Sequence, residues 1–101
     1  MALTSKQRAV LRGMANTMDP VFLIGKGEID ETLIAGVEDC IAARELIKLK
    51  VLETSEYEPR QAAEILCEAL HAECVQVIGR KFVLYRQKPK DSAYADQLRF
   101  K

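Results

Sequence analysis

The chain has no tryptophan, three phenylalanines, three tyrosines and a single histidine, His71. So few aromatics leave little of the platform on which proteins usually stack single-stranded bases. One histidine, with no evident Ser or Asp partner, offers no nucleophile and base to pair. Catalysis is not expected, and no catalytic residue is assigned. Cysteine is also sparse. Cys40, Cys67 and Cys74 are odd in number and lack framework spacing, which excludes a disulfide scaffold and fits a reducing compartment where Cys packs as a small apolar side chain. Cys67, His71 and Cys74 form a Cys-x-x-x-His-x-x-Cys pattern, the one constellation with zinc-like spacing. It lacks a clear fourth ligand, and Cys67 beside Leu66 and Leu70 suits a core, so neither metal nor other cofactor is expected.

Net charge is missing as well: 15 basic residues balance 15 acidic ones, which rules out bulk attraction to a polyanion. No apolar run approaches the ~20 residues of a membrane span, and residues 1–6 lack the apolar core of a signal peptide. The expectation is a soluble, cytoplasmic monomer with no membrane partner. What remains is a 101-residue chain, 49% hydrophobic, enough for one domain with a core of its own.

The charges cancel only on average. Residues 1–26 hold four basic and one acidic residue, and residues 79–101 seven and two; residues 27–47 hold one and six, and residues 48–78 three and six. Both ends are basic and the middle is acidic.

Taken in order, Thr4 is a natural N-cap for a helix over 5–17, whose apolar positions Val10, Leu11, Met14, Ala15 and Met18 recur at helical spacing. Asp19-Pro20 ends it. Residues 21–24 read as a strand apolar on both faces, as a strand covered on both sides would be. Asp30 then caps a helix over 31–43, with Leu33, Ile34, Val37, Cys40 and Ile41 inward and Glu31, Glu38 and Asp39 outward. Residues 45–52 alternate: Ile47, Leu49 and Val51 share one face, Lys48 and Lys50 the other. Pro59 opens a third helix to about residue 72. Strands over 74–78 and 81–86, joined by Gly79-Arg80, form a hairpin. Residues 87–101 lose the apolar pattern and are expected as a mobile basic tail on a domain of residues 1–86.

The connection Gly25-Lys26-Gly27, between the first strand and the second helix, is the stretch most suggestive of chemistry. Two glycines allow tight or positive-φ backbone, a helix start offers unpaired N–H groups, and Lys26 adds charge. Together they suit a phosphate, of a nucleotide or of a nucleic-acid backbone. The order α-β-α-β-α-β-β predicts an α/β two-layer domain with a mixed four-stranded sheet. If both crossovers advance the same way, the second and third helices lie on one face. Their acids then point outward, while Lys48, Lys50, Arg80, Lys81, Arg86 and Arg44 collect on the other side, with Lys26 at the rim. A protein-interaction module would also fit a neutral, aromatic-poor chain.

Gly25-Lys26-Gly27 after an apolar strand, Ala43-Arg44-Glu45-Leu46-Ile47-Lys48, and Val75-Gln76-Val77-Ile78-Gly79-Arg80 followed by Val83-Leu84-Tyr85-Arg86 together resemble the YhbY family, the stand-alone bacterial form of the CRM domain. The resemblance covers roughly residues 3–86. It implies an RNA-binding domain folded like the C-terminal domain of translation initiation factor 3, with ribosomal RNA and precursors of the large ribosomal subunit as partners. The family loop usually reads Gly-Lys-Gly-Gly, a Gly-x-x-Gly pattern likened to the KH backbone clamp. Here Glu28 stands in the last place, so Gly25, Lys26 and Gly27 carry over and position 28 does not.

Overall fold

The computed structural model describes residues 3–27 and 29–87. Seven elements follow one another: α1 (Ser5–Ala15), β1 (Phe22–Ile24), α2 (Glu31–Arg44), β2 (Leu46–Val51), α3 (Pro59–Leu70), β3 (Glu73–Ile78) and β4 (Lys81–Tyr85). The order matches the one read from the sequence, with ends shifted by a residue or two, as helix fraying allows. Local chemistry fixes the helix starts. The Thr4 hydroxyl accepts the Gln7 N–H at 3.1 Å while the Gln7 side chain accepts the Thr4 N–H at 2.9 Å, a reciprocal capping box. Asp30 accepts the Leu33 N–H at 2.9 Å, and Pro59 occupies the first turn of α3, where its missing N–H costs nothing.

The sheet runs β1-β2-β4-β3, with β1 parallel to β2 and β4 antiparallel to both its neighbours. The last strand in sequence is therefore a central one. On one face, Val37 and Ile41 of α2 and Ala62, Ala63, Leu66 and Leu70 of α3 close over Ile24, Ile47, Leu49, Val51, Phe82 and Leu84. Burying each larger aliphatic contributes about 1.5–3 kcal/mol. On the second face α1 covers a smaller cluster, Leu11 and Ala15 against Leu46, Val75, Val83 and Tyr85. The Arg8 guanidinium holds it down by donating to the Cys74 carbonyl at 2.8 Å.

That second cover is incomplete, and here the structure corrects the reading of β1 as covered on both sides. The cluster under α1 contains no residue of β1, and Leu23 is 57% exposed. Its apolar character reflects a surface left open. From residue 88 on, the expected basic tail lies outside the described residues, as does Glu28.

Candidate functional site

The open part of the second face is built by register. Residues directly opposite one another on neighbouring strands share a face. Leu23 of β1 pairs with Lys50 of β2, Lys50 with Lys81 of β4, and Lys81 with Ile78 of β3. One row of four side chains thus crosses all four strands, two lysines at its centre and an aliphatic at each end. Leu23 and Ile78, the latter 60% exposed, are the exposed large hydrophobics of the described residues. In the next row Lys48 faces Val83, which α1 buries, so this row marks the edge of the covered region. Lys48, Lys50, Ile78, Arg80 and Lys81 line a shallow groove.

Ile78 reaches this face through an irregularity. The pairing of β3 with β4 shifts between Cys74 and Gln76, leaving Val75 as an extra residue. Such a bulge advances the alternation by one position. Val77 consequently packs toward α3, and Ile78 emerges on the open side.

Among the described residues Lys48, Lys50 and Lys81 have no carboxylate partner; the ion pair present joins Arg86 to Glu38. Like charges directly opposite one another, as at Lys50 and Lys81, are unfavourable until an anion joins them. The arrangement can therefore hold an anion without first breaking an internal pair.

The Gly25–Gly27 loop leaves β1 at this end of the sheet, beside β2, where the Leu52 N–H donates to the Ile24 carbonyl at 2.8 Å. Gly27 has φ 108°, a conformation that strains any residue with a Cβ. Gly25 has no such need, since a Cβ there would make ordinary contacts of 3.6 Å and 3.9 Å with Leu52 and Thr54. The cradle of unpaired donors expected at the start of α2 is partly filled by the protein's own oxygens. Asp30 takes the Leu33 N–H, and the Tyr57 hydroxyl accepts the Ile29 N–H at 3.4 Å. Exposed Lys26 is the charge the loop presents.

Arg80, placed with the basic side, has a second task. Its Nε and Nη2 donate to the Val51 and Leu52 carbonyls at 3.0 and 2.7 Å, and its own carbonyl accepts the Val51 N–H at 2.7 Å. The hairpin turn is thereby clamped to the end of β2, which keeps Lys81 beside Lys50.

Two of the arginines expected on the basic side lie elsewhere. Phe82, Leu84 and Arg86 alternate onto the α2/α3 face, and Arg86 Nη1 donates to Glu38 Oε1 at 2.7 Å and to the Leu70 carbonyl at 2.9 Å. This hydrogen bond is the main reason the Glu38 carboxyl is held below its usual value. Arg44 is exposed in the last turn of α2, at the end of β2 away from the loop, where its charge suits the helix dipole. The structure thus gathers Lys48, Lys50, Arg80 and Lys81, with the Gly25-Lys26-Gly27 loop at their end, and leaves Arg44 and Arg86 apart. Leu23 and Ile78 were missing from the sequence-derived site. A long apolar side chain at a strand end looks like core until its register is known.

The thiols of Cys67 and Cys74 act on one another, and this interaction lowers the pKa of Cys74 and raises that of Cys67. His71 is exposed, and among the described residues no group of three His, Cys, Asp or Glu side chains is gathered for a metal.

The family model described as the CRS1 / YhbY (CRM) domain matches residues 3–86. This chain belongs to that family. Relatives of this CRM domain include the "Probable RNA-binding protein YqeI" of Bacillus subtilis, 36% identical over 89 residues that span 88% of this chain and 93% of the relative. A protein of Haemophilus influenzae named "RNA-binding protein" is 32% identical across 83% of this chain and 85% of its own. The solution structure of the hypothetical protein SAV1595 from Staphylococcus aureus superposes with a TM-score of 0.76 at 43% identity, covering 90% of this chain and 95% of that one. No described helix is long and apolar enough to cross a membrane.

Proposed function

We propose that this CRM domain binds RNA through the open face of its sheet, with Lys48, Lys50 and Lys81 taking phosphates and Lys26 adding a contact from the glycine loop. The observation that carries this reading is the set of lysines on one uncovered face that have, among the described residues, no carboxylate partner. The names of the relatives point the same way. Arg80 contributes mainly by holding the hairpin in place, and Gly27 by giving the loop its shape. Exposed acids Glu31, Glu64 and Glu68 lie on the helical layer, so the neutral molecule is two-sided, and a polyanion approaching from the wrong side is repelled.

The RNA is ribosomal, and the protein associates with precursors of the large ribosomal subunit; this finer reading rests on the family resemblance. Lysate sedimented through sucrose tests it. The protein is expected in fractions carrying large-subunit precursors and in the light fractions after nuclease treatment. Co-sedimentation that survives complete RNA digestion would identify a protein partner instead. Crosslinking in cells followed by sequencing of the attached RNA then tests whether that RNA is ribosomal.

A further inference from the structure

The row Leu23, Lys50, Lys81, Ile78 has a pattern that charge alone does not explain. Phosphate binding needs the two central lysines and gains nothing from an exposed aliphatic on each side. Both aliphatics are more than half exposed, and both stand in the same row as the lysines. We infer that this row is a seat for one phosphate and the two nucleosides that flank it, in a segment of RNA whose bases are unpaired and splayed.

The inference rests on the RNA-binding reading above and narrows it to a class of RNA. The row spans three inter-strand steps of about 4.8 Å, or about 14 Å in all. Its centre is cationic and its ends are apolar. A phosphate between Lys50 and Lys81 relieves their mutual repulsion, and the nucleosides on either side then lie over Leu23 and Ile78. In a duplex the base faces are covered by their neighbours in the stack and the outside carries phosphates and ribose hydroxyls, so the aliphatics would lose water without gaining an apolar partner. In a loop, bulge or single strand the base faces are open. Aliphatic side chains cover such faces without reading their edges, so binding tolerates any sequence.

A second copy of this chain suits the face poorly. A two-fold contact would set each lysine pair against its equivalent, and among the described residues Lys48, Lys50 and Lys81 have no ion-pair partner to offset the repulsion.

The test uses two fluorescein-labelled RNAs of equal length, an unstructured single strand and a perfect duplex, titrated by anisotropy against wild type and Leu23→Thr with Ile78→Thr. Threonine keeps the preference for strand and removes most of the apolar reach. The double variant should bind the single strand about tenfold more weakly, with the slope of log affinity against log salt unchanged and duplex affinity unaltered. Lys50→Gln should instead reduce that slope by about 0.7. If the double variant melts below wild type, the single variants carry the same comparison. Equal losses on both probes would overturn the preference for open bases. No loss on the single strand, while Lys48→Glu with Lys50→Glu abolishes binding, would overturn the seat and leave RNA binding standing. Failure of wild type to bind either probe would overturn both readings. A wild-type dimer in sedimentation that the threonine variant dissolves would assign the face to a second copy.

Discussion

Arg86 and Glu38 join the end of β4 to the middle of α2, with Arg86 Nη1 2.7 Å from Glu38 Oε1 and the same nitrogen 2.9 Å from the Leu70 carbonyl at the end of α3. One guanidinium thus ties the end of a central strand to both helices packed on that face. Arg86→Ala should cost about 1–2 kcal/mol, because it strands a carbonyl and a carboxylate that had a charged donor, and should lower the melting temperature by about 5–15 °C. RNA affinity measured well below the transition should be unchanged. An affinity loss without a change in melting would place Arg86 in the interface instead.

The same pair gives stability a pH dependence of known sign. The Glu38 carboxyl titrates lower in the folded protein than in the unfolded chain, first because of its hydrogen bond from Arg86. Its contribution is therefore complete above the unfolded pKa of about 4.3 and is lost as pH falls through the lower folded value. With the Glu38 side chain 43% exposed, solvent screening keeps the effect below about 1 kcal/mol. Urea midpoints of wild type and Glu38→Gln should differ at pH 7 and converge in acid. A gap that widens with acidification would contradict this account.

Gly36 is a second point where the helical layer is closely fitted. A Cβ at this position would stand 2.8 Å from Cζ of the Phe22 ring, so β1 approaches α2 through a gap that only glycine leaves. Gly36→Ala should destabilise by about 1–3 kcal/mol through overpacking, although alanine is the better helix former. Denaturant unfolding reads this directly, and a stabilised variant would mean that the ring moves aside without cost.

The elements of this fold were legible because their signals are local. Thr4, Asp30 and Pro59 announce three helix starts within one turn of chain, and the alternation of Ile47 and Leu49 with Lys48 and Lys50 sorts β2 into two faces. Arg86 was also within reach, since it stands two residues past Leu84 and shares its face. The row from Leu23 to Ile78 was not. It depends on β4 entering between β2 and β3 and on the bulge at Val75, and neither leaves a mark in residue order. The fit of Phe22 to Gly36 is likewise a contact between distant stretches. At the loop, the sequence pointed to the anion-suited shape and to Asp30 as the cap, but it did not show that the Tyr57 hydroxyl already accepts the Ile29 N–H.

Lys26 should act as one phosphate contact and little more. Lys26→Ala is expected to weaken binding of unrelated RNAs alike and to reduce the salt slope by about 0.7–0.9, with melting unchanged because the side chain is exposed. Glu28→Gly, which restores the loop pattern of the family, should tighten binding by on the order of 1 kcal/mol by removing a screened repulsion. Anisotropy across a salt series measures both. If neither substitution changes affinity or slope, the loop is only a connection and the interface is the sheet face.

The central claim is that the open face of the sheet binds RNA while contributing little to the fold. Its most direct measurement is the RNA affinity and melting temperature of Lys48→Glu with Lys50→Glu, compared with wild type. Both lysines sit opposite the side of β2 that carries Ile47, Leu49 and Val51, so melting should shift by only a few degrees, in keeping with surface substitutions of about 0.5 kcal/mol each. Affinity should fall by at least about tenfold, and the salt slope should shrink by about 1.4–1.8, the share of two phosphates. Unchanged affinity in a stably folded double variant would contradict the claim, and so would an affinity loss that merely tracks unfolding.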